Sequence, residues 1–285
     1  MNNLFKINNT TYLDPPKEYN NFELYPNFQI KVEALKYQLK QNILQGKSET
    51  YFKFGDGDYY FLNKIPKGSA KPGKRALNKP YSKINHKPFL DGYLQNDNCT
   101  SLITYDNLSK FYKMFNEEPD YPSEIIYGLT ANKWVINNTT SKIGLIGARE
   151  KLNIIKDLME YEQYKDYLGI DKFTDYIAID QNFACDNLEK TKKNVRKQIE
   201  KSTSDLFLIG VGHVKSGLIC ELKKYKKAIY LDIGVGIDAL AGLVNIYRPY
   251  FGEWTNFQIS SKKRVYQKID ILINNFGSLG EIKYL

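Results

Sequence analysis

The sequence predicts an α/β fold: a Rossmann-like, mostly parallel sheet with helices on both faces. Three observations carry this. In the second half, apolar runs at 142–148, 176–179, 205–212 and 228–234 alternate with helical stretches of about a dozen residues, the rhythm of βαβ units. Those runs are apolar throughout, as strands covered on both faces are. The chain has 285 residues and 42% hydrophobic content, enough for a sizeable core.

Residues 1–28 are rich in Asn, Pro and Tyr without a sustained period, and read as an arm carrying no chemistry. Residues 29–285 read as one α/β unit: a first half to about residue 140, a βα-repeating second half over 141–240, and a C-terminal segment over 241–285. From Gln29 to Gln45, Val32, Leu35, Leu39 and Ile43 recur at helical spacing, and Gly46 marks the stop. Tyr51, Phe52 and Phe54 favour a strand, which ends in an acidic turn, Gly55-Asp56-Gly57-Asp58. A helix is expected to begin within Tyr59–Leu62. The long basic connection Lys64–Lys87, containing Lys71, Lys74 and Arg75, is either a lid over phosphates or a flexible insertion. A short strand over Asn98–Thr104 and helices over Asp106–Phe115 and Ser123–Ala131 complete the first half. In the second half, the helices run through Leu158, over Asn187–Lys201 and over Lys215–Lys223.

Composition narrows the chemistry. No run approaches the roughly 18 apolar residues of a membrane span, and the start lacks a signal-peptide pattern, so a cytoplasmic location is expected. Cys99, Cys185 and Cys220 are far apart and read as reduced core thiols. With only His86 and His213, a histidine-rich zinc site is disfavoured, and a metal would be held by oxygen, as Mg²⁺ or Mn²⁺ are. A net charge of +9 favours an anionic ligand without choosing among nucleotide, nucleic acid and acidic membrane face. The lysine knots read as solvated helix faces, because the ordered basic and aromatic motifs of RNA recognition are absent.

Three motifs stand out. Asp56 and Asp58 are two residues apart, so in an extended segment their carboxylates share one side and could share one hard cation; a simple Asx turn is the competing reading. Gly210-x-Gly212-x-x-x-x-Gly217 follows a strand and opens a helix, which suits either a phosphate-binding turn or tight strand-to-helix packing. It departs from GxGxxG, which weakens a dinucleotide reading. Leu231-Asp232-Ile233-Gly234-Val235-Gly236 superficially looks like the turn of S-adenosylmethionine methyltransferases. That turn follows a first strand, however, and only 53 residues remain after Asp232 (285 − 232).

In order and spacing, Phe54-Gly55-Asp56-Gly57-Asp58, Leu208-Ile209-Gly210-Val211-Gly212-His213 and Tyr230-Leu231-Asp232-Ile233-Gly234 with Asp238 resemble the GT-D fold glycosyltransferases. That family carries a Phe-Gly-Asp-Gly-Glu signature early and an Asp-Ile-Gly-His segment late. The likeness covers roughly residues 48 to 255. Asp58 replaces the signature's Glu, and Val235 replaces the late His. The resemblance implies transfer of a sugar from a nucleotide-diphosphate donor, commonly a UDP-sugar, to a glycan or glycoprotein acceptor. It further implies Mn²⁺ or Mg²⁺ on Asp56 and Asp58, which would neutralise the departing diphosphate. Gly55, Gly57, Gly210 and Gly212 would approach the donor, with Arg75, Lys215 or Arg248 as cationic clamps. Asp232, Asp238, His213 and Glu253 are unranked candidates for the base that an inverting displacement needs. The aromatic tail 247–254 suits sugar stacking as well as core packing. A non-catalytic nucleotide or nucleic-acid binder is the alternative from another class.

Overall fold

The computed structural model describes residues 4–7, 10–13, 28–74, 76–101, 121–130, 133–180 and 182–243. Within the expected arm, β1 (Leu4–Ile7) and β2 (Thr10–Leu13) pair antiparallel. Each has four residues, too few to display a period in the sequence. Helix α1 (Phe28–Leu44) buries Val32, Leu35 and Leu39 and ends at Gly46, whose φ is +57°. There Lys47 N bonds Asn42 O at 2.8 Å and Gly46 N bonds Ile43 O at 2.9 Å, the paired closing bonds of a Schellman motif.

Strand β3 (Glu49–Lys53) leads into α2 (Asp56–Leu62). The helix therefore starts at Asp56, three residues ahead of the expected Tyr59, and the acidic turn is its first turn. The connection that follows makes two short 3₁₀ turns, Gly68–Ala70 and Tyr81–Lys83. Ala70, Ala76, Leu77 and Ile84 are buried, so apolar side chains anchor this basic segment to the core. Helix α3 (Lys87–Leu94) has no counterpart in the sequence reading, because proline and glycine hid it. Pro88 occupies the first turn, where its missing N–H is not needed. At Gly92 a Cβ would stand 2.6 Å from the Ser216 carbonyl, so glycine there is required for close packing on the helix that carries Ser216.

The chain continues through β4 (Asn98–Ser101), the two-residue β5 (Tyr121–Pro122), α4 (Glu124–Thr130) and α5 (Trp134–Asn137). The βα rhythm then appears as β6 (Ile143–Ala148), α6 (Arg149–Leu158), α7 (Glu162–Leu168), β7 (Asp175–Ile179) and α8 (Leu188–Ile199). It closes with β8 (Leu206–Gly210), α9 (Lys215–Tyr225), β9 (Ile229–Asp232) and α10 (Gly236–Leu240).

Seven strands form one sheet in the order β5-β4-β3-β9-β8-β6-β7, with every pairing parallel. All residues of β6, β8 and β9 are buried, as their unbroken apolar sequences require. One face is covered from α1, α4, α6 and α10 by residues such as Leu35, Ile126, Ile155 and Ile237. The other is covered from α2, α3, α8 and α9 by Phe61, Phe89, Val195 and Ile219. Strands β3 and β9, about 180 residues apart in sequence, are hydrogen-bonded neighbours, so both halves of the chain build one sheet. No helix among the described residues is long and apolar enough to cross a membrane. The expected helix Asp106–Phe115, the residues beyond Ser101 in the expected strand, Arg75 and the tail with Arg248 and Glu253 lie outside the described residues.

Candidate functional site

Parallel strands end on the same side, and here that side gathers the three motif stretches. Asp232 closes β9, Lys53 closes β3, and Lys215 opens α9 just beyond β8. Asp232 is 0% exposed, and both of its oxygens are engaged. Oδ1 accepts Gly234 N–H at 3.0 Å, and Oδ2 accepts Lys53 N–H at 3.1 Å and Lys215 Nζ at 2.6 Å. The Lys215 ammonium also reaches Asp58 Oδ2 at 2.9 Å and donates to the Lys53 carbonyl. Asp58 Oδ2 in turn accepts Gly55 N–H at 2.8 Å.

An ammonium has three hydrogens, and Lys215 finds three acceptors. It is buried, with its Nζ 4.4 Å above the Phe52 ring. Ions removed from water are tolerated only when paired and fully hydrogen-bonded, which this arrangement achieves. Lys215 thus clamps two aspartates of its own chain, and a donor phosphate could reach its ammonium only by displacing them. Asp232 is likewise a positioning residue, with no face left for an acceptor hydroxyl. The sequence carried a signal for this. Lys215, Leu218, Ile219 and Leu222 fall on one helical face, so a lysine stands in the apolar stripe of α9.

The expectation that Asp56 and Asp58 project to one side is not met, because the pair is helical and not extended. Residues two apart on a helix point in nearly opposite directions. Asp58 turns into the protein and is 4% exposed, while Asp56 faces solvent and accepts Gly57 N–H at 2.7 Å. The two carboxylates therefore do not fit a metal ion shared between them. Among the described residues, no group of three or more His, Cys, Asp or Glu side chains is placed to hold one.

The glycines divide between packing and conformation. A Cβ on Gly210 would stand 2.3 Å from the Gly234 carbonyl and 2.6 Å from Ile237. Gly210 is the cross-strand partner of Gly147, where an added Cβ would stand 3.3 Å from Ile237, so both glycines leave room for that side chain. Gly217 lets α9 approach Leu188. Gly212 sits at φ +65°, a left-handed turn that favours glycine. A Cβ on Gly57 would come 2.9 Å from His213 Cε1, so α2 lies directly on that ring. Gly55 caps α2 and gives its N–H to Asp58. Asp238 lies away from this cluster and pairs with Lys151 at 2.7 Å, tying α10 to α6. Lys53 and Lys151 are the polar contributors that the sequence reading missed.

Both histidines pack on Phe61. His213 stacks on it at 5.2 Å with planes 10° apart, and His86 lies against it at 5.2 Å while stacking on Tyr81. His86 Nδ1 contacts the Ile84 carbonyl at 3.0 Å, and its buried Nε2 has no hydrogen-bond partner among the described residues. Burial lowers both pKa values below the ordinary 6.5, with Asp58 partly opposing this for His213 and the Ile84 carbonyl doing so for His86. Burial likewise raises the free thiols, Cys99 to about 12. A depressed imidazole binds its proton more readily when unfolded. Stability from these rings is therefore full above pH 6.5 and falls as pH drops from 6.5 toward the depressed folded values. Urea midpoints between pH 8 and 5.5 are expected to fall less in His86→Phe than in the parent; an unchanged slope would contradict this.

No protein-family model, curated protein or solved structure matches the chain.

Proposed function

We propose that the chain is a glycosyltransferase that moves a sugar from a nucleotide-diphosphate donor, a UDP-sugar, to a glycan or glycoprotein acceptor. One observation carries this reading: the stretches around Asp58, Lys215 and Asp232, far apart in sequence, interlock at the carboxyl ends of adjacent strands β3, β8 and β9. Open parallel sheets bind ligands beyond that end. The buried ion cluster acts by position. It fixes the first turn of α2 against the β8 and β9 exits and presents Asp56 outward.

A metal chelated by both aspartates does not fit this arrangement. Mn²⁺ or Mg²⁺ would instead be held by Asp56 together with the donor's own phosphate oxygens, since such cations are commonly bound through a carboxylate and substrate phosphates. When bound, it would neutralise charge developing on the leaving diphosphate. His213, 8% exposed and with its pKa lowered by burial, supports Gly57 and hence the placement of Asp56.

Melting curves with UDP and UDP-sugars, each with and without Mn²⁺, test the reading. A donor at about 100 times its Kd is expected to add about 2.7 kcal/mol of stability. Melting unchanged by every nucleotide sugar, together with steeply salt-dependent binding of an oligonucleotide, would replace it with a nucleic-acid binder.

A further inference from the structure

A second concave feature lies on the same side of the sheet, at its far edge. The carboxyl end of β7, the start of α6 and one face of α8 enclose a cleft of about 420 Å³. That volume lies within the range of small-molecule sites, roughly 300–1,000 Å³. Three strand spacings separate β7 from β9, so the cleft is roughly 14 Å from the strand that carries Asp232. The place between is taken by the chain itself, where Ile237 rests on Gly147 and Gly210.

The chemistry of the lining is specific. Gln198 donates to the Ala178 carbonyl and accepts its N–H, both at 3.0 Å, which satisfies the edge strand and closes that wall. Arg149, Lys190 and Lys197 bring three cations, and Asp180 brings the one carboxylate, spent on Arg149 Nε at 3.2 Å. Lys192 and Arg196 on the same helix are paired with Glu189 and Glu200. Lys190 and Lys197 have no ionic partner among the described residues, and the Asn194 amide lies between them on the same helix face. At the rim, Phe183 is 43% exposed and holds φ +59°. A bulky side chain in the left-handed region is strained, and such strain collects at ligand-binding positions.

The geometry points to a second ligand site, for a small phosphate-bearing molecule with a flat apolar part. The two lysines and the free side of the Arg149 fork take the phosphate, as cations in a shared concavity do. The Phe183 ring takes the flat part, as exposed aromatic faces do. This site stands independently of the glycosyltransferase reading.

Calorimetric titrations of the full chain with inorganic phosphate and with phenyl phosphate test it. The parent is expected to bind both, phenyl phosphate at least threefold tighter. Lys190→Glu/Lys197→Glu weakens both by tenfold or more, whereas Lys193→Glu/Lys201→Glu, with the same net charge but off the cleft, changes them less than threefold. Phe183→Ala removes the preference for phenyl phosphate and leaves phosphate affinity in place. Failure of the parent to bind either probe, or equal losses in both charge-reversed variants, would overturn the assignment.

Discussion

Lys215→Met is expected to lower unfolding stability by about 3–5 kcal/mol, the cost of removing one partner from a buried ionic cluster. Asp58 and Asp232 would then sit side by side, at 4% and 0% exposure, without their shared cation. Equilibrium urea unfolding measures the loss. Adding Asp58→Asn and Asp232→Asn to Lys215→Met is expected to recover part of it, since both stranded charges are removed and coupled sites are not additive. Lys223→Met, which breaks an exposed pair with Asp97 at 30% and 31% side-chain exposure, is expected to cost no more than about 1 kcal/mol. If the two lysine variants lost the same amount, the cluster would not be the structural centre of the site.

Gly210→Ala is the second large effect. The added Cβ meets a backbone carbonyl at 2.3 Å as well as Ile237, and backbone does not step aside as a side chain can. A loss of about 3 kcal/mol is expected, at the upper end for overpacking. Its cross-strand partner provides the control, because a Cβ on Gly147 meets only side-chain atoms at 3.2–3.4 Å. Gly147→Ala is expected to cost less than about 1 kcal/mol. Equal melting temperatures for the two variants would show that α10 does not rest on the exit of β8.

The fold was largely legible because its signals are local and strong. The apolar strands β6, β8 and β9 lie where their runs place them, and α1 ends at the glycine that its periodicity indicates. Helix α3 was hidden by Pro88 and Gly92, residues that break helices in general but serve a first turn and a tight helix contact here. The site was legible as a set of stretches but not in its geometry. Spacing gave Asp56 and Asp58 one side on the premise of an extended chain, and a helix beginning at Asp56 turned them apart. Lys215 was expected as a phosphate clamp from the resemblance to GT-D glycosyltransferases. Its place in the apolar stripe of α9 shows why it faces inward and is consumed by Asp58 and Asp232. Pairings across about 160 to 180 residues leave no trace in local pattern.

In the proposed glycosyltransferase, the turn fixed by this cluster presents Asp56 to a sugar-nucleotide donor. UDP release from UDP-sugars with Mn²⁺ tests this for the parent, Asp56→Ala and Asp58→Ala, with melting temperatures taken in parallel. The parent is expected to turn over, and both variants are expected to lose at least about 100-fold, the scale of losing one electrostatic contributor to a transition state. Asp56→Ala should keep the parent's melting temperature, and Asp58→Ala should not, because of these two aspartates it is Asp58 that pairs with Lys215. Equal turnover in all three proteins would contradict it.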